Sequence, residues 1–193
     1  MEYLYIFFLS YISGSIPFGL LITKLLGYED IRKIGSGNIG ATNVLRTGNK
    51  KIAILVLILD FLKCFLPTLF FINSFNDNIG AICGLFAIVG HIFPFWIKFK
   101  GGKGVACFYG FLLAINSTIL IISLTIWALV VIITRFSSLG SIISVIITFF
   151  LFLIYEDDIN IVIPLTIIIL IIFKHKVNIL RLIKKEENKT KIL

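Results

Sequence analysis

Apolar residues fall in long blocks along nearly the whole chain, separated by short polar stretches. A helix needs about 20 apolar residues to cross a bilayer, with a range of ~17–25, and the blocks approach that length. The first runs from about Tyr3 to Leu26. It carries SGSIPFG at residues 13–19, so a kink or break is expected at Pro17. The second, Ile52 to Ile72, contains Asp60 and Lys63, and the third runs from Ile79 to Ile97. The stretch from Val105 to Thr134 is thirty residues long, too long for one ordinary span and short for two. Asn116, Ser117 and Thr118 interrupt it, and a helix from Val105 to Ile115 would be only roughly 17 Å long. Leu139–Tyr155 and Ile159–Phe173 follow, separated by Glu156, Asp157 and Asp158. A basic, polar tail begins at Lys174. No internal repeat or inverted copy is visible.

Composition agrees with this pattern. The 193 residues are 59% hydrophobic and 15% charged, against about 25% charged in soluble domains. The reading is an all-α integral membrane protein, one bundle and one domain over residues 1–193. There is no basic helix with interleaved polar residues to suggest nucleic acid. Residue 2 is Glu2, with no basic start and no small-residue cleavage site after the apolar stretch. The first block therefore reads as a span and not as a cleaved signal. Cys64, Cys83 and Cys107 have no metal spacing and are expected to be reduced packing residues.

The net charge of +8 decides the ambiguous run, because cytoplasmic loops carry the excess of Lys and Arg. If the run splits, seven spans result. Glu29–Lys51, Lys98–Gly104, Arg135–Ser138 and the tail then share one face, which holds every Lys and Arg outside the spans. The other face holds Glu2, Asp77, Glu156, Asp157 and Asp158 and no basic residue. As a single span, the run would separate the basic tail from the other basic loops. Seven transmembrane helices are expected, with the N-terminus outside and the C-terminus cytoplasmic.

Three polar stretches then meet on the cytoplasmic face. GSGNIGATNVLR, Gly35 to Arg46, offers Ser36, Asn38, Thr42, Asn43 and Arg46 as hydrogen-bonding groups for an anionic, hydroxylated ligand. No strand precedes it, so its glycine spacing is not a dinucleotide fingerprint. KFKGGKG, Lys98 to Gly104, sets lysines beside glycine N–H groups, a pattern suited to phosphate. It lacks the spacing and the Ser or Thr of a nucleotide-binding P-loop. Ser138 and Ser141 open the sixth span; a capping role for Ser138 is the plainer alternative. His175, Asn178 and Arg181 follow the seventh at i, i+3, i+6 spacing and can share a helical face. Asp60 and Lys63, at i, i+3 inside a span, are expected to form an ion pair that orders the bundle. His91 is expected to be structural.

GSGNIGATNVLR, GHIFPFWIKFKGGKGVA and HKVNILRL, in that order, resemble the bacterial acyl-phosphate-dependent glycerol-3-phosphate acyltransferases. SGSIPFG at the start and SSLGS at Ser137 to Ser141 extend the resemblance to nearly the whole chain. The resemblance implies a seven-span enzyme of the bacterial inner membrane with a cytoplasmic active site. It would move a fatty acyl group from acyl phosphate to the 1-hydroxyl of glycerol 3-phosphate, giving lysophosphatidic acid and phosphate. No cofactor or metal is implied. The membrane lipid and the enzyme that makes acyl phosphate are the implied partners. By position, Ser36, Arg46, His175 and Asn178 correspond to catalytic residues. Asn38, Thr42, Asn43, Gly101, Gly102, Lys103, Gly104, Ser138 and Ser141 correspond to substrate-binding ones, and Glu187 to a structural one. Lys185 stands where relatives have Gly, Cys107 where Thr is usual, and Cys64 where a Gly commonly follows the lysine.

In this reading Lys103, Arg46 and the N–H groups of Gly101–Gly104 hold phosphate, and His175 and Asn178 position the glycerol hydroxyls. The proton acceptor is either His175 or the donor's own phosphate. The latter is favoured because no carboxylate is evident to orient the histidine. An acyl-Ser36 intermediate lacks a Ser–His–acid spacing. The alternative from another class is a membrane transporter of a phosphorylated solute. One-sided motifs and the absence of an inverted repeat speak against it.

Overall fold

The computed structural model describes residues 3–190, so the expectation for Glu2 lies outside the described residues. These residues form ten α-helices and three single turns of 3-10 helix, with no strand among them. Helices α1 (Leu4–Ser15) and α2 (Phe18–Leu25) meet at 40° across Ile16 and Pro17, the break expected where proline removes a backbone donor. The short α3 (Ala41–Val44) lies in the first polar loop, before α4 (Lys50–Ser74). The bundle continues with α5 (Asp77–Ile92), α6 (Val105–Ile115), α7 (Ser117–Thr134), α8 (Ser137–Tyr155), α9 (Val162–Lys174) and α10 (Lys176–Ile183).

Asparagines set several of the starts. The Asn49, Asn76 and Asn116 side chains accept backbone N–H bonds at the first turns of α4, α5 and α7, each such cap contributing about 1 kcal/mol. The long apolar run therefore divides at Asn116, as its polar interruption predicts. Asn116 also donates to Glu156 Oε1 at 2.6 Å, fastening the break to the end of α8. The third block is shorter as a helix than expected. It stops at Ile92, not Ile97, because Pro94 disfavours helical geometry in the residue before it. Helices α8 and α9 also depart from the apolar blocks: α8 starts two residues before Leu139, and α9 starts three after Ile159.

Four segments are long and apolar enough to cross a membrane, or up to six if each bent pair, α1 with α2 and α9 with α10, counts as one. The apolar α6 is shorter, at 11 residues. Large side chains such as Phe8, Ile54, Phe70, Ile133 and Ile154 face outward, as they do where the solvent is hydrocarbon.

Inside, α5 is central: α1 and α4 pack against it, and α9 on another side. Close backbone approach replaces large apolar knobs at two crossings. A Cβ on Gly14 would overlap the Ala87 carbonyl of α5, and one on Gly110 the Phe61 carbonyl of α4. Phe108, Phe111, Phe152, Ile88, Ile167 and Ile171 fill the core beyond. The expected ion pair is present within α4: Lys63 Nζ stands 2.7 Å from Asp60 Oδ1. Lys63 also donates to the Ile16 carbonyl at 2.8 Å. One buried pair thus holds α4 against the bend between α1 and α2.

Candidate functional site

The first polar loop is organised by Asn43, which is 1% exposed. Its amide nitrogen donates to the carbonyls of Ile31 (2.7 Å) and Asn38 (2.8 Å). Its Oδ1 accepts from the Ser36 N–H (3.0 Å) and hydroxyl (3.2 Å). All four of the amide's bonds are made within its own loop, and Asn43, expected to bind substrate, also lines the cavity beside that loop. Asn38 and Thr42 make no side-chain hydrogen bond within the protein among the described residues, and both line a cavity beside the loop. Arg46 lines it too and has no carboxylate within ion-pair distance among the described residues. Arg32 differs in that Asp30 holds it with bonds of 2.6 to 3.0 Å.

The glycine–lysine loop returns from the end of α5 to the start of α6. Lys98 and Lys100 are exposed on its outer side. The N–H of Gly101 donates to the Ile92 carbonyl (3.2 Å) and that of Gly102 to the His91 carbonyl (3.0 Å). These two N–H groups, expected to face phosphate, instead pin the loop to α5, and neither residue lines the cavity. Lys103 and Gly104 do line it. Gly104 has φ +90°, a conformation that suits glycine and turns the chain into α6.

The third group comes from α8, α10 and the tail. Lys103 Nζ donates to Asn178 Oδ1 (2.7 Å), and Asn178 Nδ2 donates to Glu187 Oε1 (2.6 Å). The same Glu187 oxygen accepts from the Ser138 hydroxyl (2.7 Å). Ser138 is therefore a tail anchor and makes no cap: Phe136 occupies the N-cap of α8, with no side-chain bond. The Ser141 hydroxyl donates to the Ser137 carbonyl (2.9 Å), and the residue lines the cavity. Thr190 N–H bonds the Arg135 carbonyl (2.7 Å), so the tail is tied to the turn between α7 and α8. Arg181, which shares the expected face with His175 and Asn178, does not line the cavity.

His175 sits between α9 and α10, 2% exposed, with Nδ1 2.8 Å from the Ile171 carbonyl. A carbonyl can only accept, so Nδ1 carries the proton and Nε2 is the ring's acceptor. Burial, and after it the Lys103 charge, push its pKa down to about 4. Burial likewise pulls the Lys103 ammonium down to about 8, opposed by Glu187 and reinforced by Arg181, Arg46 and Lys174.

These groups surround one cavity of about 210 Å³. One wall is polar and cationic. The other is built by Leu57 of α4, Tyr109 of α6, and Leu124 and Trp127 of α7. Asp60, His91 and Glu187, expected to be purely structural, border the cavity as well. The apolar wall is absent from the sequence expectations, because a Leu or Trp facing a site and one facing lipid look alike in an apolar run. The arrangement suits a molecule with a phosphate at one end and a hydrocarbon chain at the other.

The sequence profile described as glycerol-3-phosphate acyltransferase matches residues 4–185. The glycerol-3-phosphate acyltransferase of Pelagibacter ubique is 44% identical over 192 residues, covering 100% of both chains. That of Bartonella henselae is 48% identical over 189 residues, covering 95% of this chain and 90% of its own. Two crystal structures of PlsY (YgiH), an integral membrane glycerol 3-phosphate acyltransferase, superpose closely. Its glycerol 3-phosphate form gives a TM-score of 0.93 at 38% identity, over 98% of this chain and 96% of the other. Its lysophosphatidic acid form gives 0.91 at 36% identity, over 98% and 95%.

Proposed function

The chain belongs to the glycerol-3-phosphate acyltransferase family, and from that membership we propose a donor, a topology and a division of labour among its residues. It is a multi-pass membrane enzyme that acylates glycerol 3-phosphate to lysophosphatidic acid in phospholipid synthesis. The donor in our reading is acyl phosphate. The observation that carries this is the pairing of Arg46 and Lys103, both without a carboxylate at ion-pair distance among the described residues, around one cavity. Two cations and an apolar wall suit two phosphate-bearing substrates, one of them acylated. An acyl-phosphate-forming enzyme then supplies the donor.

The single domain has seven spans, with α6 as the short fourth segment, the N-terminus outside and the C-terminus cytoplasmic. The basic loops and the site then face the cytoplasm of a bacterial inner membrane. The one-sided distribution of Lys and Arg supports this.

In the reaction, the C1 hydroxyl oxygen of glycerol 3-phosphate attacks the acyl carbonyl carbon. The new ester C–O bond forms as the C–O bond to phosphate breaks, and phosphate leaves with the electron pair. The hydroxyl proton passes to that phosphate, which departs as hydrogen phosphate. Neutral His175 accepts a hydrogen bond from a glycerol hydroxyl at Nε2. A nitrogen whose pKa lies at about 4 is a poor proton acceptor at neutral pH, which favours the donor phosphate in that role. Arg46 and Lys103 hold phosphate charge, aided by Ser36, Asn38, Thr42 and the Gly104 turn. Asn178 orients Lys103, and Ser141 offers its lone pairs to a hydroxyl. Bringing the two substrates together contributes up to ~7–11 kcal/mol of barrier lowering.

Purified protein given glycerol 3-phosphate with either long-chain acyl phosphate or acyl-CoA tests the donor. Product from acyl phosphate alone is expected; turnover with acyl-CoA alone overturns this reading.

A further inference from the structure

The loop that presents Lys103 rests on a side chain with no part in the transfer as described. His91 lies one residue before the end of α5 and is 4% exposed. Its ring stands against Gly102 so closely that a Cβ on Gly102 would overlap the Nε2 edge. Its carbonyl takes the Gly102 N–H. At the ring's other nitrogen, Nδ1 is 3.7 Å from Asp60 Oδ1 and has no hydrogen-bond partner. Asp60 is in turn paired with Lys63. A chain of contacts thus runs from the α1–α2 bend through Lys63, Asp60 and His91 to Gly102, the residue preceding Lys103.

The three glycines of this loop are constrained differently. Gly104 has a left-handed φ, whereas Gly101 and Gly102 do not. A Cβ on Gly101 would strike the backbone oxygens of His91 and Ile92, which no substitution can trim. At Gly102 the three nearest atoms all belong to the His91 imidazole, a side chain that substitution can trim. Residue 102 is held to glycine by the identity of residue 91.

We propose that His91 is a positioning residue for acyl transfer: its imidazole, steadied by the Asp60–Lys63 pair, sets how closely Gly102 approaches α5 and so where the Lys103 ammonium stands in the cavity. This rests on the reading of Lys103 as a ligand of substrate phosphate. A displacement of the order of 1 Å at a positioned group can cost about 10²-fold in rate, and a methyl group at residue 102 imposes a shift of that order.

The test is a double-mutant cycle on purified enzyme, with Gly102→Ala, His91→Ala and the pair, reading kcat, the KM for glycerol 3-phosphate and the thermal midpoint. Gly102→Ala is expected to lower kcat/KM at least tenfold, chiefly through KM. His91→Ala is expected to raise KM severalfold. The pair should recover at least threefold in kcat/KM over Gly102→Ala, since the methyl then has room. If His91→Ala does not fold, His91→Asn replaces it, trimming the ring edge while keeping a polar group toward Asp60. Effects that simply multiply overturn the proposal, as does a His91 variant with a lowered midpoint and an unchanged KM. Lys103→Ala, run in parallel, separates the two claims. An unchanged KM there overturns the phosphate reading and the proposal with it. A raised KM beside a multiplicative cycle overturns only the role of His91.

Discussion

Lys103 Nζ donates to Asn178 Oδ1 at 2.7 Å, joining residues 75 positions apart in the chain. This bond lets the glycine–lysine loop and the tail motif act as one unit. Hydrogen bonds to charged groups contribute about 1.5–3 kcal/mol. Lys103→Ala is therefore expected to lower kcat/KM for glycerol 3-phosphate by about 10- to 100-fold. Asn178→Leu should approach the same loss because it frees the lysine head. Steady-state kinetics on both and on their combination checks this, and the combined loss should fall short of the product of the two.

The Lys103 ammonium, drawn down to about 8 by burial, holds its charge below that pH and loses it above. For the free enzyme, kcat/KM should decline as pH rises through about 8, and Lys103→Arg should remove the decline. His175, at about 4, is neutral throughout the working range and adds no limb near its ordinary value of 6.5. The second ionisation of a phosphate substrate, near pH 6, sets the acid limb. That limb should persist in His175→Gln. Its disappearance in that variant would establish the histidine as the proton acceptor.

Glu187 offers a separate handle on the same profile. Its charge raises the Lys103 pKa against the effect of burial. Glu187→Gln keeps an oxygen for the Ser138 and Asn178 donors but removes the charge, so the alkaline limb should move below about 8. Glu187→Ala removes the acceptor too. It should additionally release the tail, measurable as faster proteolysis after Lys184 or Lys185.

Features that act locally were legible in the sequence. Pro17 breaks its apolar block, and Asn116 starts a helix by capping it. The spacing of Asp60 and Lys63 already places them on one helix face. Partners across the bundle were not legible. Nothing in GSGNIGATN shows that the Asn43 amide makes four bonds to its own loop. The glycines of KFKGGKG suggest N–H groups open to phosphate, yet the Gly101 and Gly102 N–H groups bond to α5. The constraint on Gly101 comes from the backbone oxygens of His91 and Ile92 and that on Gly102 from the His91 ring, contacts that only the folded chain brings about.

The ion pair inside α4 predicts an asymmetry in stability. Removing one member of a buried pair strands a charge and costs about 3–5 kcal/mol, whereas replacing both with apolar residues is often neutral. Asp60→Leu or Lys63→Met alone should lower the thermal midpoint in detergent well below that of the double variant. The double variant should still fall somewhat short of the natural protein. It loses the Lys63 bond to the Ile16 carbonyl, and with it the tie to the bend between α1 and α2.

Asn43 allows loop architecture to be separated from ligand binding. In Asn43→Asp the two N–H donors that meet the Ile31 and Asn38 carbonyls become a carboxylate oxygen facing carbonyl oxygens. Each buried group left unsatisfied costs about 1–3 kcal/mol, so the loop should open and the thermal midpoint fall. Activity should drop by about 100-fold or more, because the Ile31 and Asn38 carbonyls no longer hold the loop that carries Ser36 and Arg46. Asn38→Ala and Thr42→Val remove side chains that bond nothing within the described residues. They should leave the midpoint unchanged while raising the KM for glycerol 3-phosphate. The two classes of variant therefore separate on a plot of midpoint against kcat/KM. If Asn43→Asp retained its midpoint and lost only substrate affinity, Asn43 would be a ligand for substrate after all, and its four bonds within the loop would have to exchange when substrate arrives.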